Sequence, residues 1–197
     1  MNYFSAIEQG HFEALLFDCD GTLAETADLH HFAVAAAIRK LGYEMPKKWY
    51  LERTGLNLEL LLQDFKELCG RVIARDEIAP LEEQLFRENL GMIREVAGVV
   101  ELARKYSGKL PMAVVSSSTR AMVSATLDAL SITSLFAAVV TVENVARPKP
   151  APDGYLEAAR LLKVDPSKCL ALEDSEQGLE AARRAHMTAW DIRGLRV

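Results

Sequence analysis

An α/β protein, a doubly wound parallel sheet carrying a helical insertion, is the fold this sequence predicts, and three observations carry that expectation. Three short apolar runs each stop at a polar or acidic residue. Helical patterns fill the intervals between the later runs. A long helix-rich stretch separates the first run from the rest.

The runs are Ala14-Leu15-Leu16-Phe17 before Asp18, Met112-Ala113-Val114-Val115 before Ser116, and Leu170-Ala171-Leu172 before Glu173 and Asp174. Continuous apolar runs without alternation suit strands covered on both faces of a parallel sheet. A fourth candidate strand, Ala137 to Val142, precedes Ala146-Arg147-Pro148-Lys149-Pro150-Ala151-Pro152. Ser118 is expected to cap a helix reaching Leu130, with Met122, Val123, Leu127 and Leu130 as its apolar stripe. Asp153 is expected to cap another, with Leu156, Ala159 and Leu162 at helical spacing, and Ser175 a third, through Leu179 and Ala182 to Ala185. Strand and helix in alternation imply right-handed crossovers. From Ala24 to Glu95 the pattern is helical, with Leu58, Leu61, Leu62 and Phe65 in register and no convincing strand. Its 13 acidic and 10 basic residues balance closely, so it is an inserted block over the sheet's edge and not a charged tail.

Composition narrows the function. The 197 residues carry 28 acidic and 23 basic side chains, a net charge of −5, and no basic stripe, which argues against phosphate-neutralising nucleic-acid binding. No run approaches the ~20 apolar residues of a membrane span. The first residues lack the basic segment of a signal peptide. Cys19, Cys69 and Cys169 fit neither a disulfide framework nor a metal cluster. A reduced, cytoplasmic protein, monomeric or weakly dimeric, is expected.

Ligands of open parallel sheets bind beyond the carboxyl ends of the strands, so the runs deliver Asp18, Ser116 and Asp174 to one rim. Asp18 and Asp20 at i and i+2, with Gly21 and Thr22 allowing a tight turn, can share one space. Like charges so close require a cation or a shared proton, and an oxygen-rich pair with room for a phosphate suits magnesium.

With these residues the sequence resembles the haloacid dehalogenase-like phosphatases, in the sugar-phosphatase and β-phosphoglucomutase branch with a small helical cap. Asp18-x-Asp20-Gly21-Thr22 matches the first family motif, Ser116 the second, Lys149 in Lys-Pro-Ala-Pro-Asp the third, and Glu173-Asp174-Ser175-x-x-Gly178 the fourth. The resemblance runs from about Leu15 to Met187 and implies a Rossmann-like core of residues 1–23 and 96–197 with a cap of 24–95. It further implies Mg2+ and a small phosphorylated metabolite as substrate, with bacterial fructose-1-phosphate-type phosphatases the nearest likeness. Asp18 would be the nucleophile and Asp20 the acid and base. Ser116 and Lys149 would hold the phosphoryl oxygens. Asp18, the Asp20 carbonyl and Asp174 would bind the metal, and Glu173 would reach it through water or pair with a neighbouring cation. Thr22, Ser117, His30, Arg53, Gly55 and Asn57 would meet the substrate, His30 by assisting the proton transfer of Asp20 and Arg53-Thr54-Gly55-Leu56-Asn57 as a cap loop reaching inward.

Two rivals remain. A mutase usually has an arginine after the loop glycine and a lysine soon after the second motif; Gly55 is followed by Leu56, and Arg53 or Arg120 would have to substitute. A non-catalytic phospho-ligand sensor fits less well with both aspartates, Lys149 and Asp174 present together.

Overall fold

The computed structural model describes residues 3–195. In chain order it forms α1 (Tyr3–Glu8), β1 (Ala14–Phe17), β2 (Ala24–Glu25), α2 (Ala27–Lys40), α3 (Lys47–Leu51), α4 (Leu58–Cys69), α5 (Arg75–Glu88) and β3 (Arg94–Glu95). Then follow α6 (Ala97–Tyr106), β4 (Met112–Val115), α7 (Arg120–Ala129), β5 (Ala138–Val140), α8 (Asp153–Leu162), β6 (Cys169–Glu173), α9 (Glu176–Arg184) and β7 (Thr188–Asp191).

Five strands make a parallel sheet in the order β5-β4-β1-β6-β7. The chain grows outward from β1 through β4 and β5, then returns to place β6 and β7 on the other side. The strand order therefore reverses at β1, which is where such sheets bind ligands. The central strands β1, β4 and β6 bury both faces. Leu15 and Phe17 of β1 join Met112, Val114, Leu170 and Leu172 under α6 and α7, while Ala14 and Leu16 join Ala113, Val115 and Ala171 under α8 and α9. Alternate side chains point to opposite faces, so a run apolar at every position is the signature of this double covering.

Between β1 and α6 the helices build their own core. Val34 and Ile38 of α2 meet Leu61, Leu62 and Phe65 of α4 and Ile78 of α5. A second cluster joins Leu29, Ala33 and Phe86 to Met122 of α7, so this block also rests on the sheet's helices.

Several expectations are corrected here. The stretch 24–95 does contain strand: its two ends pair antiparallel, Ala24 with Glu95 and Glu25 with Arg94. The helix after the second motif is capped by Thr119, whose hydroxyl accepts from the Met122 N–H, and not by Ser118. Asp153 is the first residue of α8 and not its cap; its carboxylate takes the Arg147 guanidinium at 2.8 Å, with Pro152 at the cap position. The inward face of α8 is Tyr155, Ala158 and Ala159, and Leu156 is exposed. The strand expected over Ala137 to Val142 is shorter, because the Thr141 hydroxyl and Asn144 close a turn there. The edge strand β7 has no counterpart among the apolar runs.

Candidate active site

The carboxyl ends of β1, β4 and β6 bring Asp18, Ser116 and Asp174 to one rim, as the strand reading required. The cavity above them has a volume of about 290 Å³ and is closed from the opposite side by α2, α5 and the loop before α4. Asp18, Asp20, Lys149 and Asp174 form its floor.

Lys149 organises that floor. Its Nζ donates to Asp18 Oδ1 at 2.7 Å, to the Val115 carbonyl at 2.9 Å and to Glu173 Oε1 at 2.5 Å. Burial works against its charge, but Asp18 and Glu173 outweigh burial and hold it protonated. Glu173 is wholly buried and fully engaged: Tyr155 donates to Oε1 at 2.7 Å and the Ser175 hydroxyl to Oε2 at 3.1 Å. Of its two expected roles, pairing with a neighbouring cation is the one these contacts serve. Tyr155 was not picked out from the sequence; a tyrosine at the first inward position of α8 was the available signal.

Burial first, then the charges of Glu173, Asp174 and Asp20, push the Asp18 carboxyl well above its usual range, with Lys149 opposing. Such a site is short of positive charge. Carboxylate oxygens of Asp18, Glu173 and Asp174 lie within 4.8 Å of one another, a set of hard donors that could hold a metal ion. The Thr22 hydroxyl donates to Asp174 Oδ1 at 3.3 Å, so Thr22 orients a carboxylate of this set.

Asp20 sits in a ring of donors. Thr26 and His30 reach Oδ1 at 2.9 and 3.0 Å, and Ser116 and Ser118 reach Oδ2 at 3.1 and 2.8 Å. Burial opposes its charge, yet the charge of His30 and bonds from His30, Ser118 and Thr26 hold the carboxyl far below its usual range. His30 in turn is buried, which disfavours its charge, but Asp20 and Glu82 raise it above the ordinary histidine value. Its ring lies against Phe86, centroids 4.5 Å apart. Nothing in the sequence marks Thr26 as a partner of Asp20, and the position of Ser118 before a helix suggests a cap instead.

The remaining expected contacts divide. Ser117, Gly55 and Asn57 line the cavity. Gly55, at φ +92°, brings the cap loop so close that a Cβ there would lie 2.7 Å from Ser175 Cβ. Asn57 caps α4, its Oδ1 accepting from the Leu60 N–H at 2.9 Å. Arg53 stands outside the cavity, bonded to Asp64 at 3.2 Å and lying over the Trp49 ring at 4.1 Å. Arg120 also points away, to the Val139 carbonyl and Asn144. His31 faces another direction from His30, toward the Met45 carbonyl.

Gly178 packs on the glutamate: a Cβ there would fall 1.9 Å from the Glu173 carboxyl carbon. Because three partners fix that carboxyl, Gly178→Ala is expected to destabilise the protein by about 1–3 kcal/mol or more, read as a lower urea midpoint. An unchanged midpoint would show that Glu173 is free to move.

A doubly wound sheet with carboxylates and a buried lysine at its switch point defines a class, and comparison with known proteins identifies it. The family model described as haloacid dehalogenase-like hydrolase matches residues 15–191. The chain belongs to the haloacid dehalogenase-like hydrolase family, and it is an enzyme of that family, a phosphatase-type hydrolase. Among its relatives, fructose-1-phosphate phosphatase YqaB of Escherichia coli is 30% identical over 182 residues, covering 92% of this chain and 97% of that one. Protein CbbY of Rhodobacter capsulatus is 36% identical over 186 residues, covering 88% and 82%. The structure of a mutant CbbY from Rhodobacter sphaeroides in complex with xylulose-(1,5)bisphosphate matches with a TM-score of 0.82 at 28% identity, covering 90% of this chain and 84% of that one. Among the described residues no helix is long and apolar enough to cross a membrane.

Proposed function

We propose that this enzyme is a magnesium-dependent phosphatase that hydrolyses a small sugar phosphate through a phosphoryl group carried on Asp18. The observation that carries the reading is the pairing of Asp18 with Lys149 at the strand-order reversal, beside an Asp20 held by His30. Lys149 takes one oxygen of Asp18 and leaves the other for attack at phosphorus. As that oxygen bonds to phosphorus, the bond to the leaving sugar oxygen breaks. The sugar oxygen takes, through Asp20, the proton that His30 holds against that ionised carboxylate at 3.0 Å, and His30 is left neutral. In the second step water loses a proton back to the Asp20–His30 pair, attacks phosphorus and releases phosphate from Asp18. Lys149 and the Ser116–Ser117 segment balance charge on the phosphoryl oxygens, where transfer needs it. Glu173 holds Lys149 in place.

Asp18 and Asp174, with the Asp20 carbonyl, would hold Mg2+, which supplies charge neutralisation for the phosphoryl group when bound. The excess of carboxylates at the floor fits that ion. The fructose-1-phosphate phosphatase among the relatives supports a sugar phosphate as substrate. Hydrolysis is favoured over a mutase because Arg53 and Arg120, which would have to replace a mutase's loop arginine and second-motif lysine, are both engaged outside the cavity. The expected result is phosphate release from a panel of sugar phosphates that stops in EDTA and returns with added Mg2+. Release that persists at full rate in EDTA overturns the metal-dependent mechanism. Conversion of a hexose 1-phosphate to its 6-phosphate in place of release would establish the mutase.

A further inference from the structure

In α5, Ile78, Glu82 and Phe86 recur every fourth position and form one face. Ile78 and Phe86 are buried apolar residues at 1% and 0% exposure, and Glu82 between them is exposed by only 7%. A carboxylate in the middle of an apolar stripe is costly unless something answers it. Among the described residues no hydrogen bond or ion pair reaches Glu82, yet it lines the cavity, facing the floor from the cap side. Burial pushes its carboxyl up to about 6, with His30 and Arg75 pulling the other way. The cap side of the cavity also presents Glu25, Glu59 and Glu83, against Arg75 as its guanidinium. This cap-side wall is predominantly acidic. It offers hydrogen-bond acceptors and repels anions.

We propose that Glu82 is a specificity-determining residue: it accepts hydrogen bonds from the hydroxyl groups of an uncharged polyol attached to the phosphate and rejects substrates carrying a second phosphate at that end. The inference rests on the phosphatase reading for the orientation of the substrate, phosphate to the floor and polyol to the cap. It sets this cavity apart from that of the CbbY structure, which holds a bisphosphate.

The test is calorimetric binding with Mg2+ to the Asp18→Asn protein, in which ligands are not consumed. A hexose monophosphate and the matching bisphosphate are compared. The monophosphate is expected to bind about tenfold or more tighter. Adding Glu82→Lys, which reverses the charge, should narrow or invert that ratio by about tenfold or more. Adding Glu82→Gln, which keeps an acceptor and loses the charge, should narrow it by less. Bisphosphate binding equal to or tighter than monophosphate binding in the parent overturns the proposal. So does a ratio unmoved by Glu82→Lys in protein with a parental melting curve, or by Glu82→Gln if the lysine variant does not fold. Acetyl phosphate hydrolysis by the wild type reports on the phosphatase reading separately. Silence there sinks that reading, while the binding ratios still decide the role of Glu82.

Discussion

Asp18→Asn is expected to abolish turnover, lowering kcat by roughly 10⁴-fold or more, the scale of loss when a covalent nucleophile is removed. The variant keeps the shape and the oxygen that Lys149 binds, so the cavity stays formed. Folding stability should hold or rise. Burial and the neighbouring carboxylates push the Asp18 carboxyl up in the folded state, so its ionised form is disfavoured there relative to the unfolded chain. Replacing it by a neutral amide removes that opposition at neutral pH. Phosphate release with Mg2+ present and urea unfolding in EDTA, measured on the same protein, separate the two effects. Turnover within an order of magnitude of wild type would end the covalent mechanism.

The second large effect lies at Lys149. Its side chain is 6% exposed and bridges Asp18 and Glu173, themselves 9% and 0% exposed. Lys149→Ala leaves two buried carboxylates facing each other without their cation, and breaking such a pair from one side costs about 3–5 kcal/mol. Activity should vanish as well, because Asp18 loses the donor that holds one carboxylate oxygen and so orients the other for attack. The stability loss has a specific remedy. Adding Glu173→Gln to Lys149→Ala removes one of the two stranded charges, and the urea midpoint should recover part of the way while activity stays absent. If the double variant is no more stable than the single one, the loss is packing of the lysine stem and not stranded charge.

What the sequence made legible follows from burial. β1, β4 and β6 are central, covered on both faces, and appear in the sequence as uninterrupted apolar runs. β7 lies at an edge and mixes Thr188 and Asp191 with Ala189 and Trp190, so no run marks it. The two-residue pairing of β2 with β3 is too short to show any period. The floor residues Asp18, Asp20, Lys149 and Asp174 were legible because strand ends and loop prolines punctuate them. The cap side was not, for a physical reason. Side-chain direction in a loop or on a helix is set by tertiary contacts that spacing does not encode, so the loop pattern directs Arg53 inward while Asp64 and Trp49 hold it outside. Ser118 illustrates competition between two uses of one hydroxyl. It stood next to a helix start, but Thr119 took the cap and left Ser118 for Asp20. Glu82 had a signal that went unread, an acid at the fourth position from apolar residues on both sides.

The central place of β1 also bears on how the molecule comes into being. Leu15 pairs with Met112, and Ala14 with Cys169, so the strand carrying Asp18 finds one neighbour across about half of the sequence and the other still further along it. Closing such loops has an entropic cost that must be met before any pairing rewards it. A ribosome would have to deliver the chain at least through Asp174 before Asp18, Lys149 and Asp174 could stand together. A nascent chain that stops short of β6 would therefore carry Asp18 without a phosphoryl site, and the reactive carboxylate would emerge only after β6 had been made.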